Sequence, residues 1–267
     1  IEREYGVPFS YINITEKYDE LVANPNIRKT KINARDLENE ISKLQQESGY
    51  PYIINIDEAN RQNPIDGKII MSNLCSEILQ VQTPSVINDR QEYEELGTDI
   101  SCNLGSTNIP NLMESPDFGK SVRTMTRALT FITDSSDIEV VPSIRNGNRL
   151  NHTIGLGAMG LHSYFAKNQM IYGSEESLDF TNVYFMLLNY WTLIASNQIA
   201  KERGESFSNF EKSDYANGTY FDRYIEDVVT PKFDKVKALF ANIDIPTAAD
   251  WQALKENVMR DGLYHQN

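Results

Sequence analysis

Cysteine is scarce: Cys75 and Cys102 are the only two in 267 residues. A secreted fold stapled by disulfides needs far more, so that class is excluded and the cytosol is the expected compartment. The two stand 27 positions apart, which rules out a C-x-x-C redox pair. Histidine is nearly as rare, with His152, His162 and His265 alone. None lies three or four residues from another, as two ligands on one helix would, so metal binding by this chain is not expected. Long apolar runs are missing too. The most apolar, Val183 to Ala195, has 13 residues and includes Asn189 and Thr192, short of the ~20 that cross a bilayer. No stretch follows the pattern of a secretory signal. Basic residues number 25 against 38 acidic ones, for a net charge of -13 and a pI of about 4.7. Such a surface repels phosphate backbones and anionic lipid, so neither nucleic acid nor membrane is an expected partner. Any anionic substrate must be gripped locally, against the overall field.

What is there is ordinary globular material. Hydrophobic residues make up 40% and charged ones 24%, enough to build a core in one or two domains. The first 32 residues read as loop. Asn33 then caps a helix with Leu37, Ile41 and Leu44 at helical spacing, ending near Gly49. Tyr52 to Asp57 reads as a buried strand, followed by the polar, turn-forming "EANRQNPIDG". "KIIMSNLCSEILQVQTP" and "TDISCNLGSTNIP" read as extended segments, each holding one cysteine. From Ser115 the pattern turns helical. Val122, Met125, Leu129 and Ile132 mark one helix, residues 151–167 a second and 174–203 a third, apolar on most faces and therefore interior. A capping-box pair, Thr247 and Asp250, opens a last helix that stops at Gly262.

"GLGAMG" (Gly155 to Gly160) fits the G-x-G-x-x-G spacing of a dinucleotide site. The fingerprint must follow a buried strand, and "RNGNRLNHT" before it is polar and turn-like, so small residues that let two helices approach are the simpler reading. "SNLCSEI" carries more chemistry. In an extended segment Asn73, Cys75 and Glu77 would line one face. A carboxylate beside a thiol disfavours the thiolate, whereas a nucleophilic cysteine needs a cation or a helix N-terminus. The trio therefore suits a neutral S–H with a base ready for another proton. A lone cysteine is more often a buried structural thiol; the company of Asn73 and Glu77 is what singles out Cys75.

"NPIDGKIIMSNLCSEI" followed by "DISCNLGSTNI" resembles the large, catalytic subunit of class I ribonucleotide reductase, most like class Ib, and "RLNHTIGLGAMGL", "ERGESFSNFEKSDYANG" and "DGLYHQN" resemble it in the same order. The resemblance implies an α/β fold, the helix-rich part of a ten-stranded barrel with a finger loop. Residues 1–267 would be one partial domain, extended through 1–110 and mainly helical through 111–267. It implies reduction of ribonucleoside diphosphates by thiyl-radical chemistry. Cys75 then matches the radical cysteine, Glu77 the carboxylate that takes the ribose 3′-hydroxyl proton, and Asn73 the amide that bonds the ribose hydroxyls. Cys102 matches one of two cysteines that supply reducing equivalents and end as a disulfide. No cofactor or metal is expected on this chain. A metal-containing small subunit would supply the radical, and a thioredoxin- or glutaredoxin-like protein the electrons. The second reducing cysteine, the regulatory region, the phosphate loop and a tyrosine pair belong to segments outside this sequence, so the isolated chain is expected to be inactive and to need them as partners. Two rival readings stand beside this one: a silent helical interaction fragment, and a thiol hydrolase pairing Cys75 with a distant histidine.

Overall fold

The computed structural model describes residues 1–101 and 103–266. The chain divides into two compact units, Ile1–Asn63 with Gly67–Val81, and Pro64–Asp66 with Gln82–Asn267.

The first unit holds α1 (Glu2–Tyr5), α2 (Ile14–Ala23), α3 (Ala34–Ser48) and α4 (Ile56–Gln62). Asparagines start the two longer helices. The Asn13 side chain accepts from the Glu16 amide and that of Asn33 from the Arg35 amide, satisfying donors the helix leaves open. Helix α3 ends at Gly49 in the left-handed conformation (φ 78°), as its sequence predicts. The N-terminal stretch expected as loop thus contains α2, whose signal was the Asn13 cap. The strand expected over Tyr52 to Asp57 is absent. Its residues lead unpaired into α4, where Asp57 and Glu58 in the first turn favour the helix N-terminus. Leu21, Ile69 and Ile78 are the buried apolar side chains described in this unit, while Leu37 and Leu44 of α3 remain exposed.

The second unit begins with a small hairpin, β1 (Val86–Ile87) and β2 (Tyr93–Glu95). Then come β3 (Leu104–Asn108), α5 (Ile109–Met113), α6 (Phe118–Ser135), α7 (Pro142–Asn151), β4 (Gly155–Met159), α8 (Leu161–Lys167) and α9 (Glu175–Arg203). Short helices α10 (Asp214–Asn217), α11 (Thr219–Glu226) and α12 (Asp234–Leu239) precede α13 (Ala248–Asp261). Strands β3 and β4 run parallel, with Leu104 opposite Gly155 and Asn108 opposite Met159; α5 to α7 make the crossover that parallel pairing requires.

The single helix expected over 151–167 is therefore corrected. Residues 155–159 form β4, and of that span only Asn151, the last residue of α7, and α8 are helical. "GLGAMG" is itself a strand, not a turn after one, which removes both the dinucleotide reading and the helix-contact reading. Gly160 adopts φ 85° as the cap of α8, a conformation glycine adopts without strain. Helix α9 buries Phe180, Val183, Tyr184, Leu187 and Ile199, the interior helix its composition predicts. The Thr247–Asp250 capping box opens α13, with each side chain bonded to the other residue's amide. Mixed helix and strand fit the α/β class, and no closed barrel forms among the described residues. No helix among them is long and apolar enough to cross a membrane.

Candidate active site

Helix α4 sets the approach to Cys75. The Asn60 amide accepts from the Ile69 N–H and donates to the Ile69 carbonyl, both at 2.8 Å, so one side chain replaces a strand partner for the chain entering the cysteine loop. Asn60 was not singled out from sequence; it lay in a segment read as turn. Beyond it the backbone folds into a tight turn in which the Ser76 N–H donates to the Asn73 carbonyl at 3.1 Å. Leu74 and Cys75 occupy the tip, and Ser76 takes a left-handed φ of 64°.

This turn replaces the extended geometry the sequence predicted, so Asn73, Cys75 and Glu77 do not alternate along one face. The Asn73 side chain turns back into the loop, where its Oδ1 accepts from the Ile78 N–H (3.1 Å) and the Ser72 hydroxyl (3.1 Å). The physical reason is the Ile78 amide, which lacks a ladder partner and needs an acceptor. Ser72 Oγ also reaches the Ile78 carbonyl at 2.6 Å, closing the loop. Cys75 is a free thiol and exposed, as is Glu77; Leu74 is 81% exposed. Beside the turn runs a groove of about 470 Å³ lined by Leu44, Tyr50, Pro51, Tyr52, Leu74 and Ser76. Tyr50 and Tyr52 stack at 5.1 Å. The Tyr52 phenol is pushed above its ordinary value, chiefly by the Tyr50 hydroxyl, with burial and the Cys75 thiol adding to it.

Cys102 lies outside the described residues. Its neighbours in the second unit are held firmly. The Ser101 hydroxyl donates to Asn148 Oδ1 at 3.0 Å, and Asn103 Nδ2 reaches Thr133 Oγ1 at 2.7 Å and Asn148 Oδ1 at 3.4 Å. Asn148, like Asn60, carried no sequence signal.

The histidines offer the cysteines little. His265 is buried between Ser196 Oγ on Nδ1 and Thr130 Oγ1 on Nε2, both at 2.9 Å. Burial, with the charges of His152 and Arg203, pushes it down to about 3. His152 caps α7 and stacks on Tyr264 at 4.0 Å, with burial holding it below its usual value despite Asp134. Both are engaged by partners within the second unit, while His162 is exposed on α8 with its ring 6.0 Å from that of Tyr172. Among the described residues no group of three His, Cys, Asp or Glu side chains could hold a metal ion.

The sequence matches the barrel domain of ribonucleotide reductase over residues 1–267. The chain belongs to that family. It is 46% identical to the ribonucleoside-diphosphate reductase subunit alpha of Mycoplasma pneumoniae, over 98% of this chain and 37% of the relative. The Bacillus subtilis subunit alpha is 44% identical over 99% of the chain and 38% of its own length. A more distant subunit alpha from Helicobacter pylori is 28% identical over 97% and 37%. The chain therefore spans somewhat over a third of these relatives.

Proposed function

We propose that this chain supplies the centre of a ribonucleoside-diphosphate reductase catalytic subunit. The observation that carries the reading is an exposed free thiol at the tip of a turn closed by Ser72 and Asn73, in a chain matched to the family from end to end. Cys75, as a thiyl radical, takes the hydrogen atom from the ribose 3′ carbon and later returns it. Glu77 takes the 3′-hydroxyl proton; its exposed carboxylate is free of competing ion pairs among the described residues. Asn73 has a second duty, because its Oδ1 already braces the turn while its Nδ2 is left to bond a substrate hydroxyl. Cys102, with a second cysteine outside this sequence, supplies the two reducing equivalents and ends as a disulfide. A small subunit carrying a metal centre supplies the oxidising radical, and a redoxin restores the dithiol.

The test is turnover of ribonucleoside diphosphates by the full-length subunit that contains this chain, together with its small subunit. Deoxynucleotide should form there and not with the 267-residue chain plus small subunit. Deoxynucleotide formed by the short chain would overturn the division of labour; none formed by the full-length pair would overturn the function.

A further inference from the structure

Two buried isoleucines hold the ends of the Cys75 loop, Ile69 at 3% exposure and Ile78 at 8%. Neither lies in a strand, so no ladder satisfies their backbone groups. Side chains do it instead. Asn60 takes both polar groups of Ile69. At Ile78 the duty is divided between two neighbours. Asn73 Oδ1 accepts from the N–H at 3.1 Å, and the Ser72 hydroxyl donates to the carbonyl at 2.6 Å. Ser72 Oγ also lies 3.1 Å from Asn73 Oδ1. A hydroxyl has one proton, and the shorter contact takes most of it. Ser72 and Asn73 thus close the neck of a loop whose far end is a turn, with the Ser76 N–H on the Asn73 carbonyl at 3.1 Å. At the tip Leu74 is 81% exposed, and Cys75 is exposed with a free thiol. An exposed tip takes its position from the backbone that carries it, and that backbone is set at the neck.

We propose that Ser72 is a positioning residue for Cys75, its hydroxyl fixing the loop neck so that the sulfur stands where hydrogen transfer occurs. The inference rests on the reading of Cys75 as the radical cysteine. In that step the C3′–H bond breaks homolytically as the S–H bond forms, and the unpaired electron passes from sulfur to carbon. Such a transfer needs the two atoms placed closely, since ~1 Å of displacement can lower a rate ~10²-fold. A hydroxyl suits position 72 because it reaches the carbonyl six residues on while the Asn73 oxygen serves the amide of the same residue. Alanine there would strand the Ile78 carbonyl, and an unmade bond costs more than a made one gains. Among the described residues the Ser72 side chain bonds only within the loop, so its loss should displace the thiol and spare the helices of the unit.

The experiment measures turnover of a ribonucleoside diphosphate, unlabelled and deuterated at the 3′ carbon, by the full-length subunit that contains this chain, with its small subunit. The variants are Ser72→Ala, Ser72→Thr and a control, Thr15→Ala, which removes a 2.6 Å hydroxyl bond to Asp57 without touching the loop. Ser72→Ala should lower kcat about tenfold at unchanged KM, as a small displacement of the sulfur implies. The deuterium isotope effect on kcat should rise with it, because hydrogen transfer becomes the slow step. Ser72→Thr keeps the hydroxyl and should restore both, and Thr15→Ala should match the parent in both. Should Ser72→Ala fail to fold, Ser72→Val, isosteric with the threonine variant but without its hydroxyl, should repeat the alanine result. Exchange of the Ser76 amide should quicken about fivefold in the variants lacking the hydroxyl, as one lost net hydrogen bond implies, and that readout needs no turnover. A parental kcat and isotope effect without the hydroxyl, a threonine variant that restores neither, or an equal change in Thr15→Ala would overturn the proposal. A lower melting midpoint with the isotope effect unmoved would also overturn it, leaving Ser72 a purely structural role. Parental turnover by Cys75→Ser would instead defeat the role given to Cys75, and this inference with it.

Discussion

Cys75 and Glu77 sit two residues apart, yet the proposed chemistry gives their loss different signatures in the full-length subunit. Cys75→Ser should abolish hydrogen abstraction, because an O–H bond is too strong to exchange with a ribose C–H. Glu77→Gln keeps the shape and loses the base, so turnover should fall by ~10²–10⁴; a rate equal to the parent would take Glu77 out of the mechanism. Asn73 separates differently, because its side chain braces the turn through the Ile78 amide. Asn73→Ala strips that acceptor and should speed exchange of the Ile78 amide about tenfold, in line with one lost hydrogen bond. Asn73→Asp retains the acceptor and should restore protection without restoring turnover, since it cannot donate to a substrate hydroxyl. Amide exchange and deoxynucleotide assay on the same two variants decide whether bracing and substrate binding are distinct duties.

At the scale of elements, the contact of α6 with α9 depends on one absent side chain. A Cβ at Gly119 would lie 2.5 to 2.7 Å from the Trp191 indole, so Gly119→Ala should destabilise the second unit by ~1–3 kcal/mol through overpacking, visible as a lower melting midpoint. Thr247→Ala, which dissolves the capping box of α13, should lower stability by about 1 kcal/mol. Elements with local signals were legible in the sequence. The Asn33 cap and Gly49 stop bound α3, the capping box bounds the start of α13, and the continuous apolar composition of 174–203 marks α9. Strand β4 was not legible, because Gly-Leu-Gly-Ala-Met has low strand preference. It is a strand because β3 lies alongside, and Gly105 lets that pair sit 3.0 to 3.2 Å from Met125 and Leu129 as measured from an added Cβ. Tyr52 to Asp57 failed in the opposite sense: its apolar run suggested a strand, and no partner strand is described beside it.

For the whole molecule, acid is the condition that should expose the buried polar core. His265 ordinarily titrates near 6.5, and in the fold it is pushed down to about 3 by burial, His152 and Arg203. The unfolded chain therefore binds the extra proton first. The second unit should lose stability as pH falls below about 6.5, by ~1.4 kcal/mol per pH unit toward 3, and gain nothing from this group above 6.5. His265→Gln, which keeps partners for Ser196 and Thr130 without the titrating ring, should flatten that slope in denaturant melts between pH 4 and 7; an equally steep slope would assign the acid sensitivity elsewhere. The sequence by itself determined the family, the acidic surface, the capped helices and the candidacy of Cys75, Glu77, Asn73 and Cys102, because those rest on local pattern and residue chemistry. Only the tertiary structure decided that the Cys75 segment is a turn, that Asn73 spends its oxygen on Ile78, that Asn60 braces the backbone at Ile69, and that Asn148 bonds the Ser101 and Asn103 side chains. Those contacts join residues 5 to 47 positions apart, and whether a lone amide finds its partner across such a span depends on how the chain closes rather than on any neighbouring residue.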